Sequence, residues 1–168
     1  MISGEKWIIV ENIHHISTKV KDTKKMFLGE YRHTIDQKGR IAIPAKFRQD
    51  LGGSAIITRG IDTCLFVFPK SEWEKLASKL VDLPISQSGS RAFVRLMLSG
   101  AGDVEFDKQG RVLIPDHLRS YARIGKQAVI TGLYNRIEVW DQKLWDAYKD
   151  KTEKESESIA EKMGEMGI

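Results

Sequence analysis

The sequence predicts a mostly β protein with short helices, an α+β fold in which two repeats jointly build one pseudo-symmetric β-barrel. One observation is a repeated nine-residue motif: residues 36–44 read DQKGRIAIP and residues 107–115 read DKQGRVLIP. Another is the alternation of apolar residues after each turn, which is typical of a half-buried strand. The third is size, because a unit of about 45 residues is too small to bury an adequate core alone. We therefore expect the two repeats to pack against each other.

The repeat extends well beyond the turn. Six positions of the first copy recur 71 residues later: Asp36, Gly39, Arg40, Ile43, Pro44 and Arg48 match Asp107, Gly110, Arg111, Ile114, Pro115 and Arg119. With small gaps, AIIT at 55–58 then pairs with AVIT at 128–131, LFVF at 65–68 with IEVW at 137–140, and Trp73 with Trp145. A match of this length indicates a duplicated module.

Each module can be assigned its elements in order. Asp36 favours a turn because its side chain can accept from backbone N–H groups, and Gly39 accepts a positive φ. The strand at 40–43 then leaves the turn, which predicts a tight β-hairpin. Pro44 suits the first position of a helix that stops at Gly52 and Gly53. AIIT and CLFVF follow as two further strands, and the second copy repeats this order, with its helix ending near residue 122.

The segment between the modules is predicted to be helical. Ser71-Glu72-Trp73-Glu74 matches a capping box, and apolar residues at 73, 76, 77 and 80 follow a helical spacing. After a loop at residues 84–89, Phe93, Leu96 and Met97 predict a second short amphipathic helix that ends at Gly100. The highly charged residues 145–168 predict an exposed helix that frays or stays partly disordered.

Composition limits the possible classes of protein. The chain has 168 residues, of which 41% are hydrophobic and 30% charged, as in ordinary globular proteins. The apolar run at residues 7–10 is too short for a signal-peptide core or a membrane span. Cys64 is the only cysteine, which excludes an intrachain disulfide and a cysteine-based zinc site, and we expect it to be buried. These features predict a cytoplasmic protein with no membrane partner.

Charge is unevenly distributed along the chain. Residues 1–25 carry +2 and residues 145–168 carry −3, which leaves +5 on residues 26–144. A basic centre suggests a polyanionic partner, although a well-solvated surface would carry the same charge.

The motif D-x-x-G-R-[IV]-x-[IV]-P followed by a basic short helix resembles the SpoVT/AbrB module of bacterial transcription factors. Two such modules in one chain, opening with MFLGEY at residues 26–31, resemble the MraZ family over about residues 26–145. The resemblance implies a swapped-hairpin barrel, a homo-oligomeric ring, and D-x-x-x-R hairpins that contact operator DNA. It also implies a transcriptional regulator, expected to be a repressor, of the division and cell-wall gene cluster, associated with the nucleoid.

On this basis we expect five segments. Residues 30–72 form the first module, 73–100 a helical connector, 101–144 the second module, and 145–168 a charged tail. Residues 1–25 form an extension with no counterpart that we recognise in the family. An upstream misassignment of the start codon is favoured over a genuine basic extension, and we expect residues 1–25 to be dispensable for stability and DNA binding.

The chemistry of the turns agrees with binding to double-stranded DNA. Arginine offers paired donors to a phosphate or to the guanine edge, and a two-stranded ribbon fits the major groove. The candidate contacts are Lys38, Arg40, Lys46, Arg48, Arg32, Lys108, Arg111 and Arg119, with Asp36, Gly39, Asp107 and Gly110 shaping the turns. Arg40 could instead simply pair with Asp36, and both roles are compatible. The first hairpin is favoured because the second lies near Asp103, Glu105 and Asp116.

Other functions have weaker support. The sequence contains no H-E-x-x-H, G-x-S-x-G or Walker phosphate loop, so no enzyme, catalytic site, cofactor or small-molecule substrate is predicted. His14 and His15 are adjacent, and on a strand they would point to opposite sides, so no metal site is predicted either. The main alternative is an antitoxin-type protein-binding module of the same fold. A ring scaffold that does not bind DNA is a third possibility.

Overall fold

Pairs of strands alternate with one or two helices along residues 26–167, the part of the chain that this computed structural model describes. The predictions for residues 1–25, including the two histidines, lie outside the described residues. The strands are β1 (Phe27–Thr34), β2 (Arg40–Ala42), β3 (Ser54–Arg59), β4 (Leu65–Pro69), β5 (Gly102–Glu105), β6 (Arg111–Leu113), β7 (Gln127–Tyr134) and β8 (Ile137–Asp141). The helices are α1 (Ala45–Leu51), α2 (Lys70–Val81), α3 (Ser88–Ser99), α4 (Asp116–Tyr121), α5 (Gln142–Lys154) and α6 (Ser156–Glu165). The mostly β, α+β class is confirmed.

Six strands form one antiparallel sheet in the order β1-β7-β8-β4-β3-β5. Exchanging each strand for its counterpart in the other repeat reverses this order and leaves it otherwise unchanged. A pseudo-twofold axis therefore passes between β4 and β8, where Phe66 is paired with its own counterpart Glu138. The edge strands are exchanged, because β1 of the first repeat pairs with β7 of the second, while β5 pairs with β3.

The remaining strands, β2 and β6, pair with each other as a two-stranded ribbon in which Ile41 faces Val112. The ribbon is extended at both ends by bonds from the Ile43 N–H to the Gly110 carbonyl (3.1 Å) and from the Ile114 N–H to the Gly39 carbonyl (3.0 Å). The prediction of a tight hairpin within each repeat is thus corrected. Each turn forms, but beyond an isolated bridge between Ile35 and Ile41 the strands that flank it pair with the other repeat.

One hydrophobic core lies between the sheet and the ribbon, and both repeats fill it. Ile41 and Ile43 of the first repeat are buried in it together with Val112 and Ile114 of the second. Phe47 on α1 is fully buried and packs edge-to-face on Phe27 and Tyr31 of β1. Because side chains of both repeats share this core, neither repeat can keep its apolar residues out of water alone.

A second apolar cluster covers the outer face of the sheet. It joins Phe66, Phe68 and Trp140 of β4 and β8 to residues of α2, α3 and α5, and it includes the buried thiol of Cys64. The helix predictions need three corrections. Helix α2 begins at Lys70 after Pro69, with no side-chain cap, so the expected capping box does not form. Pro44 precedes α1 as its N-cap, and Phe93 is exposed while Met97 is buried.

The last helices of the two repeats, α3 and α6, differ in how they pack. After α2 the chain turns at residues 82–87, and α3 packs against α2 and β3. After α5 only Glu155 intervenes before α6, which packs chiefly on α5 and has no buried residue. The charged tail is therefore helical and largely exposed.

Candidate nucleic-acid interface

Both predicted turns form, with the same hydrogen bonds. The Asp36 carboxylate accepts from the backbone N–H groups of Lys38 and Arg40, each at 2.9 Å, and the Gly39 N–H donates to the Asp36 carbonyl at 3.0 Å. Asp107 binds Gln109 and Arg111 in the same way. Gly39 and Gly110 have φ values of +80° and +73°, which side-chain-bearing residues adopt only with strain.

The two D-x-x-x-R motifs meet in one ion cluster. The Nε of Arg40 lies 2.8 Å from Asp36, and the Nε of Arg111 lies 2.8 Å from Asp107. Cross-repeat contacts complete the cluster, with Arg111 Nη1 3.4 Å from Asp36 and Arg40 Nη1 3.9 Å from Asp107. The interpretation of Arg40 as a partner of Asp36 is therefore confirmed, and the two motifs form a single unit rather than two separate tips.

Hydrogen bonds keep these carboxylates ionised. The backbone N–H of Arg111 and then its side chain lower the pKa of Asp107 to about 2. The same arrangement around Arg40 lowers the pKa of Asp36. With two aspartates and two arginines, the ion cluster is formally neutral, so it orients the two guanidinium groups without adding net positive charge.

A second pair of arginines crosses between the repeats. Arg48 of α1 lies over the second turn so closely that a Cβ on Gly110 would overlap its guanidinium. Arg119 of α4 lies over the first turn, where a Cβ on Gly39 would come within 2.7 Å of its Nη1. The positive φ favours glycine at both positions, and the missing side chains leave the space that these arginines occupy. We call the two turns with Arg48 and Arg119 the paired-turn surface.

The two ends of the paired-turn surface differ in charge. Arg119 is paired with Asp116 at 2.9 Å, whereas the position of Asp116 is Ala45 in the first repeat. Within residues 26–167 Arg48 has no ion-pair partner, and exposed Lys46 precedes it on α1. Lys38 and Lys108 are exposed on the two turns. Uncompensated positive charge is therefore concentrated on Arg48 and the lysines.

Arg32 is a predicted DNA contact that lies away from the two turns. It extends from the outer face of β1 to Asp146 of α5, at 2.8 Å, with Glu30 3.7 Å away. These partners raise the pKa of Arg32, and its hydrogen bond lowers the pKa of Asp146. The structure thus brings together the turn residues, Arg48 and Arg119, but it uses Arg32 to hold a helix on the sheet.

Lys126 is a basic residue that the sequence analysis missed. Its carbonyl accepts from the Ile35 N–H at 2.9 Å, and it lines a shallow depression with Asp36 and Gln37 beside the first turn. The corresponding residue of the first repeat is Gly53. An alignment of the two copies that sought charge differences next to the turns would have found it.

No group of three or more histidine, cysteine, aspartate or glutamate side chains in residues 26–167 is arranged to hold a metal ion. Among the helices of the same residues, none is both long and apolar enough to cross a bilayer.

Comparisons with known proteins agree on one family. The family model described as "MraZ protein, putative antitoxin-like" matches the chain twice, at residues 26–96 and 97–165. A protein of Halothermothrix orenii named transcriptional regulator MraZ is 54% identical over 143 residues, covering 85% of this chain and all of the relative. Proteins with the same name from Carboxydothermus hydrogenoformans (52% identical; 82% of this chain and 96% of the relative) and Clostridium tetani (50%; 85% and 100%) are similarly close.

Proposed function

Because this chain belongs to the MraZ family, we propose that it is a transcriptional regulator that binds double-stranded DNA through the paired-turn surface. The observation that carries the proposal is the joining of the two turns through the ion cluster, with Arg48 and Arg119 crossing over them. Both turns and both arginines then approach DNA as one rigid element. This role is not enzymatic, as the names of the relatives indicate.

The residue types suit the two tasks of a DNA-binding surface. Lysines are suited to phosphates, and so is the guanidinium of Arg48, which has no ion-pair partner among residues 26–167. Phosphate contacts position a protein without reading sequence. Arg40 and Arg111 are oriented by carboxylates, so they lose little rotamer freedom when they donate to a guanine edge. A surface that joins both kinds of group can both position itself on DNA and read it.

The weak electrostatic contact expected of one copy favours several copies binding DNA together. If one copy neutralises two or three phosphates, the logarithmic salt slope is only about −2 to −3. A homo-oligomer that binds repeated operator elements gains on the order of 10²–10⁴ in avidity. We therefore propose a homo-oligomeric ring, nucleoid-associated, that represses the division and cell-wall gene cluster.

The test begins with selection of bound DNA from a random pool at physiological salt, followed by titration of the selected sequence over a range of salt. Replacing Lys38 and Lys108 by alanine should flatten the salt slope by about two for each copy in contact. The matched control replaces Lys79 and Lys151, exposed lysines of α2 and α5, and should leave the slope unchanged. Equal slopes for both double variants would contradict the proposed surface.

An antitoxin-type module is a second candidate, favoured by the family description and by the exposed apolar residues of α6. It predicts a complex of fixed stoichiometry with the product of a neighbouring gene when the two are co-expressed. Isolation of this chain alone from such co-expression would argue against it.

A further inference from the structure

The paired-turn surface has two flanks, and only the flank beside the first turn carries uncompensated lysines. Lys126 lies in the loop before β7, and Lys143 lies in the first turn of α5. Both side chains are exposed, and neither has an ion-pair partner among residues 26–167. We call Lys126 and Lys143 the basic flank.

The basic flank is continuous with the first turn. The Lys126 carbonyl accepts from the Ile35 N–H at 2.9 Å, one residue before Asp36. Lys126 lines one shallow depression with Asp36 and Gln37, and it lines a second depression with Lys143. An unbroken stretch of surface therefore leads from the first turn over Lys126 to the start of α5.

The carboxylate of Asp141 fixes the two lysines relative to each other. Its Oδ1 accepts from the backbone N–H groups of Lys143 and Leu144, at 2.9 and 3.4 Å, and its Oδ2 accepts from the N–H of Gly125 at 3.1 Å. The loop before β7 is thus tied to the first turn of α5. Because Asp141 is bound by backbone donors, the ammonium groups of the basic flank remain free for an external anion.

The opposite flank, beside the second turn, lacks this charge. Lys126 and Lys143 correspond there to Gly53 and Ser71, and Thr34 beside the first turn corresponds to exposed Glu105. These three pairs of positions carry +2 on the side of the first turn and −1 on the side of the second. The pseudo-twofold symmetry of the backbone is therefore not a symmetry of charge.

Lys70 does not restore the balance. It precedes Ser71 at the start of α2, but its Nζ is 2.9 Å from the carboxylate of Asp103. On the other side, Asp146 is the first acid of α5 after Lys143, and it is bound to Arg32 at 2.8 Å. A polyanion that lies across the two turns is thus attracted beyond the first turn and repelled by Glu105 beyond the second.

We propose that the phosphate backbone of bound DNA continues from the first turn onto the basic flank, and not onto the opposite flank. The contact that each copy makes is then off-centre with respect to the pseudo-twofold axis. A lysine ammonium binds a phosphate as a point charge and reads no base, so the flank adds affinity and positions the copy on the duplex. This inference rests on the DNA-binding role proposed above and adds a contact surface to it.

The first test removes the basic flank. On a short duplex that carries one selected element, replacing Lys126 and Lys143 by alanine should flatten the salt slope by about two for each copy in contact. Ethylation of single phosphates should interfere with wild-type binding further out on one side of the element than on the other, and the variant should lose this extension. Replacing Lys79 and Lys151 is again the matched control. An unchanged slope, or interference that reaches equally far on both sides for the wild type, would overturn the inference.

The second test moves the flank without changing the net charge. A chain with Lys126→Gly, Lys143→Ser, Gly53→Lys and Ser71→Lys carries the two lysines on the opposite side. Gly53 accepts a side chain, because its φ is not positive and a Cβ there would meet no atom within 4 Å. The extended interference should move to the other side of the element, and circular dichroism checks the fold. An extension that stays on its original side would overturn the inference.

The lysines of the turns separate this inference from the proposed function. If replacing Lys38 and Lys108 flattens the salt slope while replacing the basic flank does not, DNA binds the paired-turn surface alone and only the inference fails. If neither double variant flattens the slope, the proposed surface and the inference both fail. Flattening by both, with the extension lost only when the flank is replaced, is the expected result.

Discussion

The two halves of the molecule match where they meet and diverge where they face outward. Asp36 and Arg40 have identical counterparts in one ion cluster, and Ile43 and its counterpart Ile114 are both buried. On the surface the pairs differ: Ala45 corresponds to Asp116, and the packed α3 corresponds to the exposed α6. Contacts across the axis require both partners to fit, whereas surface positions carry no such constraint.

The central strand pair, β4 and β8, shows that counterpart side chains can differ even at the pseudo-twofold axis. Phe66 faces Glu138, its own counterpart, yet the backbone pairing is regular. Glu138 is only 6% exposed, but it accepts from the Trp140 Nε1 at 3.0 Å and from Arg136, whose guanidinium also covers the Phe66 ring. A buried charge is tolerated because its partners are complete. The symmetry therefore belongs to the backbone more than to the side chains.

Separating the halves should have the largest effect. In a fragment of residues 26–72, β1 and β2 lose their partner strands, so we expect an unfolded chain or a pair of fragments. Circular dichroism with light scattering measures this. A folded monomer would mean that each repeat is independently stable.

Truncation in the shared core comes next. Ile114→Ala should lower the free energy of unfolding by roughly 2–5 kcal/mol, and Ile43→Ala by a similar amount, because both side chains are buried in one core. Leu113→Ala is the control, since Leu113 is 55% exposed. Denaturant titration gives the values, and a large loss at only one isoleucine would show that the core depends on one half.

Acid should weaken the ion cluster. The pKa of Asp107 is lowered to about 2 in the folded protein, so its stabilising contribution is complete above the ordinary aspartate pKa and is lost as pH falls through about 2. Asp107→Asn should therefore destabilise the protein at neutral pH and reduce its loss of stability from about pH 4 to 2. Thermal melts over this range measure the difference, and parallel curves for wild type and variant would contradict the assignment.

The smallest effect concerns the charge difference between the halves. Asp116→Ala recreates the first repeat's sequence and frees Arg119, so DNA binding should tighten and its salt slope should steepen by about one for each copy in contact. Asp82→Ala removes an exposed acid beyond α2 and is the control. An unchanged slope in the Asp116 variant would place Arg119 outside the DNA contact.

The sequence predicted the elements better than their partners. The turns, the buried isoleucines and both short helices between the modules follow from local patterns of Asp, Gly and apolar spacing. The exchange of β1 and β5 between the repeats could not be derived from such patterns, because a strand has the same apolar spacing whichever repeat it pairs with. Only the family resemblance implied a swapped arrangement. The Arg48–Gly110 contact joins residues 62 positions apart, and a glycine in a turn already has a local explanation. Proline suits either the N-cap or the first position of a helix, so the sequence could not show which of the two positions Pro44 occupies.

The ribbon of β2 and β6 has a further consequence for how this protein can evolve. In a homodimer of single modules, every mutation would strike both sides of the axis at once. Here two stretches of one gene encode the two sides, so each can accumulate its own changes while the facing residues remain compatible. Counterpart positions already differ in this way, as at Ala45 and Asp116 and at Gly53 and Lys126. An asymmetric operator could therefore be matched by altering one half alone, without a second gene.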